Sequence, residues 1–303
     1  MSSSAQKTWE PAKFLPEDKK RPEFYYALIV LNTPIENADV FNHLYDGATY
    51  VVCADGGANR LREFGQREHT KSAKKGRPRA KAKISRSGPN AIVGDMDSLK
   101  LDVEKYYRES GVTIIKESDQ DSTDFMKCLK HVRKITERAT QPANGEEENL
   151  EWEMSTSNYD IVVMGGLGGR TDQAFSQLHQ LYAAADSSEI TNNDIYLITP
   201  ESINFILPNG THKIMTPVVN YLGDSVGIIP LGRPAVITTR GLEWDVKDWA
   251  TEFGGNMSTS NHVMNPFVEV QTTEKVLFTI EILKGQEGGR YRDEAEPAMV
   301  NED

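Results

Sequence analysis

Only two cysteines occur in the 303 residues, Cys53 and Cys128. Each stands in apolar surroundings, one in a strand-like run and one on a helical face. A disulfide framework is thereby excluded, and two core thiols in a reducing compartment are expected. No run approaches the roughly 18 apolar residues of a membrane span. The opening Met1-Ser2-Ser3-Ser4-Ala5-Gln6-Lys7-Thr8 lacks the apolar core of a secretory signal, so the expectation is a cytoplasmic protein with no membrane partner. Positive charge is in deficit: 34 Lys and Arg face 45 Asp and Glu, a net charge of −11, which argues against nucleic acid as the main partner. No GxxxxGK(S/T) loop is present, which excludes a Walker-type phosphate site. After Gly166-Leu167-Gly168, the third glycine of a dinucleotide fingerprint is replaced by Thr171.

What the sequence does hold is 38% hydrophobic and 26% charged residues, enough for one large or two ordinary globular domains. Residues 1–22 are polar and expected to be poorly ordered. Six apolar runs then alternate with helical patterns: 24–31, 49–54, 91–93, 112–115, 160–164 and 194–199. That alternation predicts an α/β domain over 23–200 with a mainly parallel six-stranded sheet and flanking helices. Beyond Pro200 the runs become short and closely spaced (203–207, 211–215, 225–229, 235–239, 267–270 and 276–282). They predict a C-terminal antiparallel β-sandwich over 201–284. Two surface excursions interrupt the first domain, a basic loop at 67–88 and a polar segment at 141–158, and an acidic tail fills 285–303. Between Arg67 and Arg86 the basic loop carries nine positive charges against one acid, Glu68, leaving −19 on the rest of the chain. Such a loop reads as solvated and mobile, with nucleic-acid binding as its alternative.

Carboxylates gather where the predicted strands run into helices. Ala91-Ile92-Val93-Gly94-Asp95-Met96-Asp97-Ser98 ends a buried strand in two carboxylates at i and i+2, a spacing that suits Mg²⁺ bearing a polyphosphate. An Asx-turn with a helix cap explains that motif alone equally well, and a nucleotide-sugar transferase would carry the same Asp-x-Asp. Asp55-Gly56-Gly57 repeats the arrangement, with glycines that would let a phosphate or base approach the backbone. Asp119, Asp121 and Asp124 open the next helix, where Asp121 or Ser122 is the natural N-cap. Gly165-Gly166-Leu167-Gly168-Gly169-Arg170-Thr171-Asp172 is an anion-binding turn with Arg170 placed to meet a phosphate. If the sheet is parallel, all these junctions share one edge. Like charges about 4 Å apart repel by roughly 4 kcal/mol at an effective dielectric of 20. Cations bound with a polyphosphate relieve that repulsion, which points to a Mg²⁺-dependent enzyme acting on a phosphorylated substrate.

With these residues in view, the chain resembles the eukaryotic thiamine pyrophosphokinases of fungal type. The resemblance rests on CADGGANRL from Cys53, VGDMDSL from Val93, DQDSTDFMKCL from Asp119, GGLGGRTDQ from Gly165, TRGLEWDV from Thr239 and STSN from Ser258. It implies a homodimer with its sites between subunits, and transfer of a diphosphate from ATP, the co-substrate, to the thiamine hydroxyl with release of AMP. It further implies that Asp95, Asp97, Asp121 and Asp124 hold Mg²⁺. Asp95, Asp97, Asp124 and Arg170 would carry the catalysis. Asp55, Gly56, Gly57, Asn59, Gly168 and Gly169 would line the nucleotide. Gln120, Thr123 and Asp172 would contact phosphate or thiamine, Trp244 would stack on the aminopyrimidine, and Ser258, Ser260 and Asn261 would meet its nitrogens. Without the resemblance, Trp244 reads as a core residue of the sandwich and the serines as a polar loop.

Overall fold

The computed structural model describes residues 6–16, 24–74, 88–139, 159–185, 187, 188, 190, 191 and 193–283. In chain order these form β1 (Lys7–Trp9), a 3-10 turn (Pro11–Phe14), β2 (Tyr25–Val30), α1 (Ala38–Gly47), β3 (Tyr50–Ala54), α2 (Gly57–Lys74), β4 (Ala91–Gly94), α3 (Leu101–Glu109), β5 (Thr113–Lys116), α4 (Asp124–Ala139), β6 (Tyr159–Met164), α5 (Thr171–Ala184) and β7 (Ile195–Ile198). There follow β8 (Ser202–Leu207), β9 (Gly210–Met215), β10 (Leu222–Ile229), β11 (Ala235–Arg240), β12 (Trp249–Thr251), β13 (Ser258–His262), β14 (Phe267–Thr272) and β15 (Val276–Ile282). The chain divides into two compact units. One spans Asp18–Pro200 with Asn204–Ile206, the other Met1–Glu17, Glu201–Ile203 and Leu207–Asp303. Among the described residues, no helix is long and apolar enough to cross a membrane.

In the α/β unit the strands run β7-β6-β2-β3-β4-β5, and every neighbouring pair is parallel. Leu28, Ile29, Val51, Val52, Ile92, Val93, Ile161 and Val162 are fully buried, as expected of strands covered on both faces. The chain steps outward from β2 to β5 and then returns to β2's other side as β6. The carboxyl-end crevice between β2 and β6 is therefore a topological switch point, the place where open sheets of this kind bind ligands. Helix α4 packs on β3 and β4 through Phe125, Cys128, Leu129 and Val132, all buried. Its cap is Thr123, whose Oγ1 accepts the Met126 amide at 3.3 Å. The two candidates read from the sequence are already engaged upstream. The Asp121 amide donates to Asp119 Oδ1 at 2.9 Å, and the Ser122 hydroxyl donates to the other oxygen of Asp119.

The β unit contains a sheet ordered β1-β9-β14-β11-β12 and a second run of strands ordered β13-β10-β15-β8. Apart from β1, which lies parallel to β9, the registers are antiparallel. Ile214, Ile237, Val268 and Val270 of the first group are buried, as are Val226, Ile228, Phe278 and Ile280 of the second. Both groups thus bury an apolar face, as the layers of a sandwich do.

Two expectations require correction. Within the N-terminal stretch expected to be poorly ordered, residues 6–16 are fixed in place. Trp9 is 3% exposed and its indole N–H donates to His212 Nδ1 at 3.2 Å, while Phe14 and Leu15 are also buried. A polar average hid three anchors, and a terminus tied into a sheet is an ordered one. In the basic loop, residues 67–74 continue α2, since no glycine or proline occurs between Gly65 and Gly76. The Arg67 guanidinium donates to the Ile35 carbonyl and lies 5.4 Å from the Phe64 ring, and Lys71 pairs with Glu68 at 2.8 Å. Residues 75–87 of that loop, the 141–158 excursion and the 285–303 tail lie outside the described residues.

Candidate active site

The parallel registers bring the carboxyl ends of β2, β3, β4, β5 and β6 to one edge of the α/β unit, and with them the candidates between Asp55 and Asp172. One ligand oxygen from each of Asp55, Asp95 and Asp97 lies within 4.8 Å of the other two. Asp55 follows β3 in the left-handed region, at φ +40°, and Met96 between the other two has φ +68°. Non-glycine residues adopt such angles at a cost, and they cluster where geometry matters. Gly94 makes the convergence possible. A Cβ on it would stand 2.6 Å from the Asp55 Cβ and 3.0 Å from Asp124 Oδ1.

Each carboxylate is held differently. Asp55 is 1% exposed, and its Oδ2 accepts the Ser98 amide at 2.9 Å. Its Oδ1 is buried without a hydrogen-bond partner among the described residues. Burial, opposed by the Ser98 amide and reinforced by the Asp124 and Asp97 charges, pushes its carboxyl up to about 6. For Asp95, burial works against the charge, but the Asp97 amide (3.2 Å to Oδ1) and Lys127 outweigh it, so its carboxyl lies below its ordinary value. Asp97 is exposed and accepts the Ser98 hydroxyl at 3.0 Å. Asp124 opens α4 and is raised by burial despite Lys127. The Lys127 ammonium reaches both Asp124 Oδ1 (3.2 Å) and Asp95 Oδ2 (3.6 Å).

The donor set fits a hard divalent cation. It consists of oxygen only, it is three carboxylates deep, and it includes a buried oxygen without a partner among the described residues. Two unit charges 4.8 Å apart repel by roughly 3 kcal/mol at an effective dielectric of 20. Three such pairs would cancel much of a typical stability of about 5–15 kcal/mol, unless a cation or a proton intervenes. The sign of the pH dependence follows. The folded protein binds more protons than the unfolded chain between the ordinary Asp55 value and about 6. The metal-free protein should therefore lose stability as pH rises through that window, whereas divalent-cation affinity should rise with pH up to about 6 and then level. Thermal melts with and without Mg²⁺ across that range check both trends, and Asp55→Asn should flatten them.

The glycine-rich turn after β6 is open in part. Gly165, Gly166, Gly168 and Gly169 all have positive φ, and a Cβ on Gly168 or Gly169 would meet nothing within 4 Å. The Gly166 amide donates across the switch point to Thr33 Oγ1 at 2.8 Å. Arg170 is exposed and forms a fork with Asp172, at 3.1 and 2.5 Å, which holds the Asp172 carboxyl below its ordinary value.

Other candidates are placed differently from the sequence expectation. Asp121 is exposed and outside the converging trio, and Asp55, expected at the nucleotide, takes its place there. Gln120 is exposed at the same edge, whereas the Thr123 hydroxyl is occupied as a helix cap. Gly56 and Gly57 are not an open cradle. Added Cβ atoms would meet Asn32 Nδ2 at 2.3 Å and the Val30 carbonyl at 2.1 Å, so these glycines serve close packing of α2 on β2. Asn59 bridges the Ser98 carbonyl and the Lys100 amide, at 2.8 and 3.1 Å, and thereby positions the Asp95–Ser98 loop. Lys127 belongs to the site although the motifs did not single it out. Its signal was a cation three positions after Asp124, bordering the apolar stripe of α4.

In the β unit, Trp244 is 56% exposed and not a core residue. Asn261 accounts for its setting. Asn261 Oδ1 accepts the amides of Trp244 (3.1 Å) and His262 (2.9 Å), and its Nδ2 donates to the Trp244 carbonyl at 2.9 Å. Asn261 is buried, and these three bonds fix the backbone of the tryptophan. The His262 ring lies 5.5 Å from that of Trp244 and meets Glu243 at 2.7 Å. Ser258 and Ser260 are half-buried and exposed on β13, with Ser260 at φ +56°. Composition gave no strand signal there, and pairing with β10 imposes it.

A parallel sheet whose carboxyl edge joins converging carboxylates to a glycine-rich turn defines an α/β enzyme of phosphorylated substrates outside the Walker class. Comparison with known proteins narrows this. The family model "Thiamin pyrophosphokinase, catalytic domain" matches residues 41–192, and "Thiamin pyrophosphokinase, vitamin B1 binding domain" matches residues 211–277. The chain is 34% identical over 277 residues to thiamine pyrophosphokinase 1 of Arabidopsis thaliana, covering 89% of this chain and 91% of that protein. It is 30% identical over 284 residues to thiamine pyrophosphokinase of Saccharomyces cerevisiae, covering 84% and 85%. The crystal structure of yeast thiamin pyrophosphokinase superposes with a TM-score of 0.73 at 25% identity, covering 93% of each chain. The chain belongs to the thiamin pyrophosphokinase family.

Proposed function

We propose that this chain transfers the diphosphate of ATP to the hydroxyl of thiamine, giving thiamine diphosphate and AMP in a Mg²⁺-dependent reaction. The observation that carries the reading is the meeting of Asp55, Asp95 and Asp97 around a buried, unsatisfied carboxylate oxygen at the carboxyl edge of the sheet. In this reading the thiamine oxygen bonds to the β-phosphorus, the bond from that phosphorus to the bridging oxygen of the α-phosphate breaks, and AMP departs. Asp55, Asp95 and Asp97 hold the cation, with Asp124 beside them. Mg²⁺, when bound, supplies charge neutralisation for the polyphosphate. Arg170 leaves Asp172 to stabilise charge on the transferring group, and the open backbone at Gly168 and Gly169 admits phosphate oxygens. Transfer of this kind requires positioning and electrostatics more than covalent help.

In the β unit, Trp244 serves as the stacking platform for the aminopyrimidine, held by Asn261, with Ser258 and Ser260 offering hydroxyls to ring nitrogens. Gln120 and Asp172 face the substrates at the other unit's edge. The working protein in this reading is a cytoplasmic homodimer with sites between subunits, for which the buried, free Cys53 and Cys128 suit a reducing compartment. Phosphorus NMR of the purified chain with ATP, Mg²⁺ and thiamine tests the chemistry. AMP should accumulate in step with thiamine diphosphate, whereas ADP would overturn the proposal in favour of an ordinary kinase. Trp244→Ala should raise KM for thiamine by about tenfold and leave kcat nearly unchanged, because stacking and cation–π contacts contribute about 1–2 kcal/mol together. Steady-state kinetics with thiamine varied measures it.

A further inference from the structure

We propose that Lys127 is a positioning residue of the acidic edge: a resident counter-cation that holds Asp95 and Asp124 in place and occupies the flank of the carboxylate trio. The inference rests on the reading of the trio as a divalent-cation site. Lys127 is 5% exposed, an unusual setting for lysine, which is rarely buried unless paired. Its ammonium stands 3.2 Å from Asp124 Oδ1 and 3.6 Å from Asp95 Oδ2, so one buried charge spans a carboxylate that follows β4 and another that opens α4. The other oxygen of Asp95 accepts the Asp97 amide, so both of its oxygens are fixed. Asp55 Oδ1, by contrast, is buried and unsatisfied. The protein thus neutralises one side of the cluster itself and leaves the Asp55 side for a ligand.

Burial on α4 explains how Lys127 does this. It projects from the turn after Asp124, between Phe125 and Cys128, whose buried side chains fix the helix against β3 and β4. A flexible surface lysine would spend side-chain entropy to reach the pair, whereas this one is confined by packing. A purely structural ion pair would stabilise the fold to the same extent whatever occupies the trio. A resident counter-cation does not, because its charge lies within a few ångström of Asp95 and repels any cation bound there.

Lys127→Met, Lys127→Gln and Lys127→Arg distinguish the two roles. Each is melted with and without Mg²⁺, and Mn²⁺ affinity is measured by electron paramagnetic resonance on the full chain. The neutral variants should melt lower without cation and regain more on its addition than the unaltered protein does. They should bind Mn²⁺ at least about tenfold more tightly, the order expected when a unit charge this close is removed. Lys127→Arg should behave like the unaltered protein. A Mg²⁺ increment and a Mn²⁺ affinity unchanged in the neutral variants would overturn the assignment, as would neutral variants that fail to fold even with Mg²⁺. Absence of any Mg²⁺ or Mn²⁺ effect on the unaltered protein would instead overturn the cation site itself.

Discussion

Asp97→Asn is expected to lower turnover by about a thousandfold while leaving the protein folded. The effect has the size seen when one group that stabilises charge at a transferring phosphoryl centre is removed. The substitution is nearly isosteric, and Asp97 is the most exposed member of the trio, so no packing is lost. Its amide, which fixes Asp95 at 3.2 Å, remains, and an asparagine oxygen can still accept the Ser98 hydroxyl. Removing one of three mutually repelling charges should leave the melting temperature unchanged or slightly raised in the absence of cation. Steady-state kinetics beside a thermal melt makes the check. A variant that keeps a tenth or more of its turnover would mean that Asp97 does not serve the reaction.

Arg170→Ala should lower kcat by about a hundredfold to a thousandfold, with smaller changes in KM for either substrate. Arginines that meet charge developing on a transferred phosphoryl group contribute effects of about this order or larger. The side chain is 75% exposed and pairs with Asp172, also exposed, so the ion pair adds little to stability and its loss should not move the melting temperature. Lys at this position should recover only part of the rate, because the guanidinium offers a planar pair of donors that an ammonium cannot reproduce. If Arg170→Ala instead raised KM for ATP alone, the residue would be a ground-state binder and not a stabiliser of the transferring charge.

The sequence revealed the sheet because its strands are apolar runs with a single meaning. Ala91-Ile92-Val93 and Ile161-Val162-Val163 can hardly be anything but buried, and their alternation with helical patterns implies parallel order. From that order alone the shared edge of Asp55, Asp95 and Asp124 followed. The sequence did not show which oxygens meet. That depends on left-handed angles at Asp55 and Met96 and on the space freed by Gly94. Polar residues were the least legible. Thr123, Asn59 and Asn261 are chemically suited to ligands, yet their hydrogen bonds go to backbone groups that would otherwise be left without partners. Gly56 and Gly57 looked like a phosphate cradle, and the Asn32 side chain and the Val30 carbonyl fill their space. Trp9 and Phe14 were hidden because a polar segment needs only a few anchors to be fixed in a sheet.

In the proposed reaction, carboxylates that follow β3 and β4 tolerate one another because a divalent cation completes the Asp55 side of the cluster. Titration of the full chain with Mn²⁺, followed by electron paramagnetic resonance and repeated on Asp55→Asn, tests it most directly. Saturable binding is expected, weakened by at least about tenfold in the variant, since a buried charged ligand is lost. Equal affinity in the two proteins, or no saturable binding in either, would contradict it.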